Sequence, residues 1–256
     1  MVLAGGTDLL VAAHRKPAPT GILDLFALAD LVGISEDDDG GVRIGAATTY
    51  GQLIRDDVAQ RVLPCLVAAS REIGALQIQA RGTIGGNIGT SSPVGDSLPP
   101  LLALDAEVEL ASTSGRRTVP YDEFCLGYRQ TALKGDELIV SVRIPPIAEN
   151  VVQYWRKVGT RRAQSISKVM LAVAVGLEER VITHARVAFG AVAATPIRAK
   201  ACEQAMIGAR PGPELADAVR AALATEITPI DDVRSNAVYR LGVAQNLIAR
   251  FVTSLS

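Results

Sequence analysis

Histidine, cysteine, aromatic side chains and net charge are all scarce in this chain of 256 residues. Its 2 histidines, His14 and His184, stand far from each other and from any second ligand at metal spacing. Both read as ordinary surface or strand histidines, so His-based hydrolysis and metal catalysis lack their usual parts. The 3 cysteines, Cys65, Cys125 and Cys202, form no CxxC pair. That scatter excludes a disulfide framework and a metal knuckle, and reads as reduced thiols of a cytoplasmic protein. Lys and Arg (26) nearly balance Asp and Glu (27), leaving a formal net charge of -1. A nucleic-acid or anionic-membrane footprint would need a basic excess. The most apolar stretch, Val169 to Leu177, is about half the length of a membrane span. No basic, apolar leader precedes the first Gly-Gly turn. What is present is apolar bulk: 48% hydrophobic residues, enough for one large domain or two modest ones. Any redox chemistry must be carried by a cofactor.

Short strands alternate with helices in the first half. Ile22 to Leu25 and Val42 to Ala46 read as strands, the second entered through Asp38-Asp39-Gly40-Gly41. The acidic run from Glu36 to Asp39 lacks the spaced ligands and closing Glu of a calcium loop and reads as a solvated turn. Thr49 is placed to cap a helix through Ile54, and Pro64 to open a second one that Gly74 stops. Glu107 to Thr113 and Arg116 to Val119 flank Ser114-Gly115 as a hairpin. A strand from Glu137 to Ile144 ends at Pro145-Pro146, the best domain boundary in the chain. Beyond it, Val151 to Val158, Lys168 to Leu177 and Val181 to Val192 read as strands, the last two joined by Glu178-Glu179-Arg180. Helices are expected over Ile197 to Met206, Pro213 to Ala224 and Ser235 to about Leu255. In the last, Val238, Leu241, Ala244, Ile248 and Phe251 form a core-facing stripe at helical spacing.

Two glycine segments stand apart from this background. One is Leu3-Ala4-Gly5-Gly6-Thr7-Asp8-Leu9-Leu10, a strand end, a Gly-Gly turn and a helix start. The other is Arg81-Gly82-Thr83-Ile84-Gly85-Gly86-Asn87-Ile88-Gly89-Thr90-Ser91-Ser92-Pro93, read as a loop. Adjacent glycines let backbone N–H groups converge on phosphate oxygens, because no Cβ blocks the approach. Thr7, Thr83, Thr90, Ser91, Ser92 and Asn87 add side-chain donors, so a pyrophosphate is held without strong positive charge. Arg81 either lends one charge or pairs with a surface acid. Neither segment is a GxGxxG or a Walker loop. Two hydroxyl-rich glycine segments in one domain favour a dinucleotide over ligand-free tight turns.

The pair AGGTDLL and TIGGNIGTSSPVGDSLPPLLALDAEVEL resembles the FAD-binding medium subunit of the molybdenum hydroxylases, a family that includes xanthine, carbon monoxide and aldehyde dehydrogenases. The resemblance continues through Asp136 to Ile139, Ile144-Pro145 and Arg156 to Arg162, and closes at Asp232 to Ser235 and Tyr239-Arg240. It implies an α+β fold: an FAD-binding domain of the vanillyl-alcohol oxidase (PCMH) type over residues 1–148, with its N-terminal unit short or missing. A small α+β domain of the carbon monoxide dehydrogenase flavoprotein C-terminal type follows over residues 149–256.

The resemblance further implies that the two glycine segments clasp FAD through Val2, Leu3, Ala4, Gly5, Gly6, Thr7, Asp8 and Leu9, and through Thr83, Ile84, Gly85, Gly86, Asn87 and Thr90. Asp96 is expected to bond the ribose or a loop amide, and Ile139 to pack near the flavin. Lys157 is expected beside the flavin ring, as a cation that stabilises the reduced form. Ile73 stands where several relatives place an aromatic, so NAD use does not follow. The implied partners are a large molybdopterin subunit and a small 2Fe–2S subunit, in a dimer of heterotrimers that passes electrons to an external acceptor. Two other readings remain open: a self-standing FAD oxidoreductase of the same superfamily, and a structural subunit without FAD.

Overall fold

The computed structural model describes residues 1–13, 17, 19–161 and 164–256; His14 and Arg162 lie outside the described residues. The first half is built on a five-stranded antiparallel sheet. In spatial order its strands are Ile34–Glu36, Val42–Gly45, Leu138–Ile144, Glu107–Ser112 and Gly115–Pro120. Period-two patterning sets the faces: Val42, Ile44, Val108, Leu110, Val142 and Ile144 are buried, while Arg43 and Glu109 alternate outward and pair with each other. The acidic run closes the first hairpin, with Asp39 accepting from the Gly41 amide and Gly40 at φ +85°. Arg143, from the neighbouring strand, gathers Asp37 and Asp39.

Helices Tyr50–Arg55, Pro64–Arg71, Ile84–Thr90 and Leu98–Ala103 contribute buried residues to the core that this sheet covers. Thr49 caps the first of them in a reciprocal box with Gln52, and Pro64 occupies the first turn of the second. At the N-terminus Val2–Leu3 pairs in parallel with Leu23–Asp24, shorter than the expected strand.

The second half holds a four-stranded antiparallel sheet: Val151–Val158, Val169–Glu178, Val181–Gly190 and Ile197–Arg198. Glu179 and Arg180 both take positive φ (47° and 66°), which joins the two long strands in a two-residue turn. Strand Val169–Glu178 reads as a continuous apolar run because both its faces are buried. Leu171, Val173 and Val175 pack with helices Lys200–Met206, Pro213–Ala224 and Ala237–Ser254. Ala172 and Ala174, with Ala188, join the core of the first half instead. Small residues on that face let helices Pro64–Arg71 and Leu98–Ala103 lie close against the sheet.

Two expectations are corrected here. Ile197-Arg198 is an edge strand, and the helix expected from Ile197 begins at Lys200. Val238 is 83% exposed rather than part of the stripe, whose buried face is Arg240, Ala244, Ile248 and Phe251. The first turn of that helix lies beside the ends of two sheet strands. It is tied down by a polar anchor instead, with Arg240 donating to the carbonyls of Lys168 and Ala191 and to Asp232.

Candidate functional site

The N-terminal turn carries the strongest donor set. Gly6 adopts φ +76°, and its carbonyl accepts from the Leu10 amide at the start of helix Leu9–Ala13. Among the described residues no acceptor in the chain meets the amides of Gly5, Gly6 and Thr7. Free amides on consecutive residues suit phosphate oxygens. Asp8 is exposed and faces Arg129 at 3.7 Å.

The segment after Arg81 is a helix rather than the expected loop. Ile84–Thr90 is α-helical, with Thr83 Oγ1 accepting from the Gly86 amide at 3.1 Å. The cap and the buried anchors Ile84 and Ile88 outweigh the poor helix propensity of three glycines. Its first amides are consumed within the chain: Ile84 donates to Thr48, Gly85 to Ala46, and Gly86 to Thr83. The amide nest expected from this segment is therefore absent; what it offers is a surface.

The glycines explain how that surface is placed. A Cβ on Gly5 would stand 1.8 Å from the Arg81 carbonyl oxygen, so the two glycine segments meet backbone to backbone. A Cβ on Gly85 would stand 2.6 Å from Ala46 Cβ, which seats the helix on the strand end. Gly86 is different. It is exposed, and a Cβ there would meet only Thr83 Oγ1, at 2.9 Å. Apart from the Thr83 cap, the protein's own packing leaves that bare backbone open, as a ligand lying across it would require. Thr7 sits beside Gly82, Asn87 and Thr90 are half-buried on the same short helix, and Ile139 lies beneath Gly89. Unpartnered amides, hydroxyls and an unfilled glycine position fit the pyrophosphate and one flank of a dinucleotide.

Asp96 and Lys157 are brought together as a buried ion pair. Lys157 Nζ donates to Asp96 Oδ2 at 2.6 Å and to the Glu72 carbonyl at 3.3 Å. Ser167 donates to the other Asp96 oxygen at 2.5 Å. Asp96 thus has both oxygens engaged by the second half of the chain and does not bond a loop amide. Lys157 is a compensated cation rather than a free one, because a buried charge requires a partner. Burial pushes the Asp96 carboxyl upward, against the pull of Lys157 and Ser167.

Other positions resolve simply. Among the described residues Arg81 pairs with no acid; its guanidinium lies 3.7 Å over the Phe26 ring. Val2 and Leu3 form the short parallel strand, Ala4 leads into the turn, and Leu9 opens the helix. Ile73 packs at the edge of the first core. Tyr50, Ser97 and Ser167, which sequence reasoning did not single out, form buried hydroxyl contacts behind the site. Ser97 stands between Asp96 and Leu98, and Ser167 between Ile166 and Lys168, where no spacing or motif marks either hydroxyl.

Two surface clefts lie elsewhere. One of about 510 Å³ separates helices Pro213–Ala224 and Ala237–Ser254, and one of about 350 Å³ follows the seam at Pro145 to Ala148. Neither contains the glycine segments, whose exposed backbone forms an open face. Among the described residues there is no cluster of His, Cys, Asp and Glu suited to a metal, and no helix long and apolar enough to cross a membrane.

Fold and site define a two-domain, dinucleotide-binding flavoprotein subunit. Residues 1–147 match the FAD binding domain in molybdopterin dehydrogenase, and residues 154–255 the CO dehydrogenase flavoprotein C-terminal domain. The chain is 35% identical to the xanthine dehydrogenase FAD-binding subunit of Escherichia coli O157:H7, over 98% of this chain and 87% of that protein. It is 31% identical to the carbon monoxide dehydrogenase medium chain of Hydrogenophaga pseudoflava, over 97% and 86%. A solved structure of the carbon monoxide dehydrogenase from that organism, lacking the Mo-pyranopterin moiety of its cofactor, superposes with a TM-score of 0.93 at 32% identity, covering 98% of this chain and 87% of that one. The chain belongs to the FAD-binding medium subunits of the molybdenum hydroxylase family. It is an oxidoreductase subunit whose cofactor is FAD.

Proposed function

We propose that this chain is the electron-transferring subunit of a multi-subunit hydroxylase, passing electrons from 2Fe–2S clusters on a small subunit to an external acceptor. A large molybdopterin subunit would hold the substrate site, and the whole would assemble as a dimer of heterotrimers. The observation that carries the reading is the meeting of Gly5 with Arg81, which joins free amides to a bare helix face in a cradle for FAD. Bound FAD supplies a carrier that accepts single electrons and delivers pairs.

The residues assigned to the cradle are Val2 to Leu9 around the free amides, and Thr83, Ile84, Gly85, Gly86, Asn87 and Thr90 on the helix. Ile139 supplies the apolar floor, and the Asp96–Lys157 pair braces the cradle from behind. The two functional units divide at residues 148 and 149. A general acid or base on the exposed glycine face would favour the self-standing oxidoreductase, and the residues exposed on that short helix supply none.

Stopped-flow reduction of the purified chain, alone and after assembly with its partners, tests the proposal. Purified under native conditions, the chain should carry flavin absorbance, and no aldehyde or purine should bleach it. The assembled complex should bleach its flavin after the iron–sulfur signal appears. Turnover of a hydroxylase substrate by the lone chain would replace the relay with the self-standing oxidoreductase, and a colourless native preparation would leave the structural subunit.

A further inference from the structure

Behind the glycine helix runs a buried chain of hydroxyls that ends on Asn87. Ser97 Oγ donates to Asn87 Oδ1 at 2.7 Å, and Tyr50 Oη lies 3.1 Å from the same Ser97 oxygen. Tyr50 and Ser97 are buried, whereas Asn87 is half-exposed at the cradle. The directions of these bonds follow from counting hydrogens. Serine has one O–H, and it goes to Asn87, so the phenol must donate to Ser97. Turning the Asn87 amide over would make its nitrogen the donor to Ser97, sending the serine hydrogen back to Tyr50. The phenol hydrogen, which has no other acceptor among the described residues, would then be buried unpaired, a costly arrangement.

A Cβ at Gly95 would stand 2.8 Å from Leu98 Cδ1 and 3.0 Å from Asn87 Oδ1, so bare backbone there leaves room for the inner end of the Asn87 amide. Ser97 itself follows Asp96, which Lys157 and Ser167 of the second half hold in place.

We propose that Ser97 and Tyr50 are positioning residues for the cofactor: they lock the Asn87 carbonyl inward so that its NH2 group faces the cradle as a fixed donor. This rests on the FAD-cradle reading above. The donor would meet an acceptor oxygen or ring nitrogen of FAD, and the second half of the chain would support it through Lys157, Asp96 and Ser97.

A double-mutant cycle on the full chain stripped of FAD tests this, with FAD affinity read by quenching of flavin fluorescence and folding by circular dichroism. Ser97→Ala should weaken FAD binding about tenfold, the scale of one lost hydrogen bond. Tyr50→Phe, which removes only the hydroxyl, should weaken it about threefold. In an Asn87→Ala background neither change should weaken FAD further, because both act through that amide. Losses that multiply in the double variants would overturn the proposal, as would wild-type affinity in both single variants. If Ser97→Ala fails to fold, the cycle of Tyr50→Phe with Asn87→Ala carries the same decision. Absence of FAD binding by the wild-type chain would instead sink the cradle reading itself.

Discussion

Gly86→Ala separates a cradle from a turn, because the structure assigns the glycines different reasons to exist. On the helix, alanine in place of glycine gains about 0.5–1 kcal/mol. The new Cβ crowds Thr83 Oγ1 at 2.9 Å, and a weakened cap costs about 0.5–2 kcal/mol. These effects nearly cancel, so the FAD-free variant should melt within about 2–4 °C of wild type, the shift expected per kcal/mol in a chain near this size. Binding should not cancel, since the methyl group occupies the exposed face offered to the ligand. At FAD one hundred times its Kd, the wild-type chain gains about 2.7 kcal/mol, or roughly 5–10 °C. A hundredfold loss of affinity leaves about 0.4 kcal/mol, a shift of about 1–2 °C. Calorimetry with and without FAD reads both quantities on one sample. Gly5→Ala is the control: a Cβ 1.8 Å from a backbone carbonyl must displace the segment, so it should lower the melting point of the FAD-free chain as well. If Gly86→Ala retains the full FAD-induced shift, the bare helix face is not the cradle.

Lys157→Met should destabilise the chain by about 3–5 kcal/mol, because the Asp96 carboxylate is left buried without its cation; adding Asp96→Asn should recover most of that loss in urea titrations. Arg240→Met should cost a similar amount, since Asp232 and the carbonyls of Lys168 and Ala191 lose their shared donor, and proteolysis should then open the second half first. His184 has its pKa lowered, chiefly by burial and then by Arg186. The unfolded chain therefore takes up this proton first as pH falls, and stability should be highest above about pH 6.5 and decline below it. Comparing melting points of wild type and His184→Gln between pH 7.5 and 5 checks the sign; a decline of equal steepness in both would remove His184 as its cause.

Much of the fold was legible in local chemistry. Thr49 and Pro64 sit where helices begin, and the apolar run Val169 to Leu177 falls within one strand. Failures came where tertiary contact overrides propensity. Segment 84–90 carries three glycines and looked like a loop, yet Ile84 and Ile88 drive it into the core and Gly85 lets it rest on Ala46. Val238 fitted a helical stripe by spacing alone, yet it stands exposed while Arg240 takes the buried place on that turn. The site was legible as a pair of glycine segments and not as a geometry. No periodicity indicates that Asp96 and Lys157, separated by sixty-one positions, neutralise one another.

That pairing changes how the two halves of the chain relate to FAD. If the second half merely followed the cradle in sequence, Lys157 would be free to act as a local charge. Instead its ammonium is bound to Asp96, one residue before the serine that holds Asn87. The sheet of the second half also lends Ala172, Ala174 and Ala188 to the core beneath the cradle. Loosening that sheet should therefore weaken FAD binding without touching any residue that faces the cofactor. The two matched domains are distinct in sequence, yet this pair joins them: the first supplies Asp96, and the second the Lys157 ammonium that holds it.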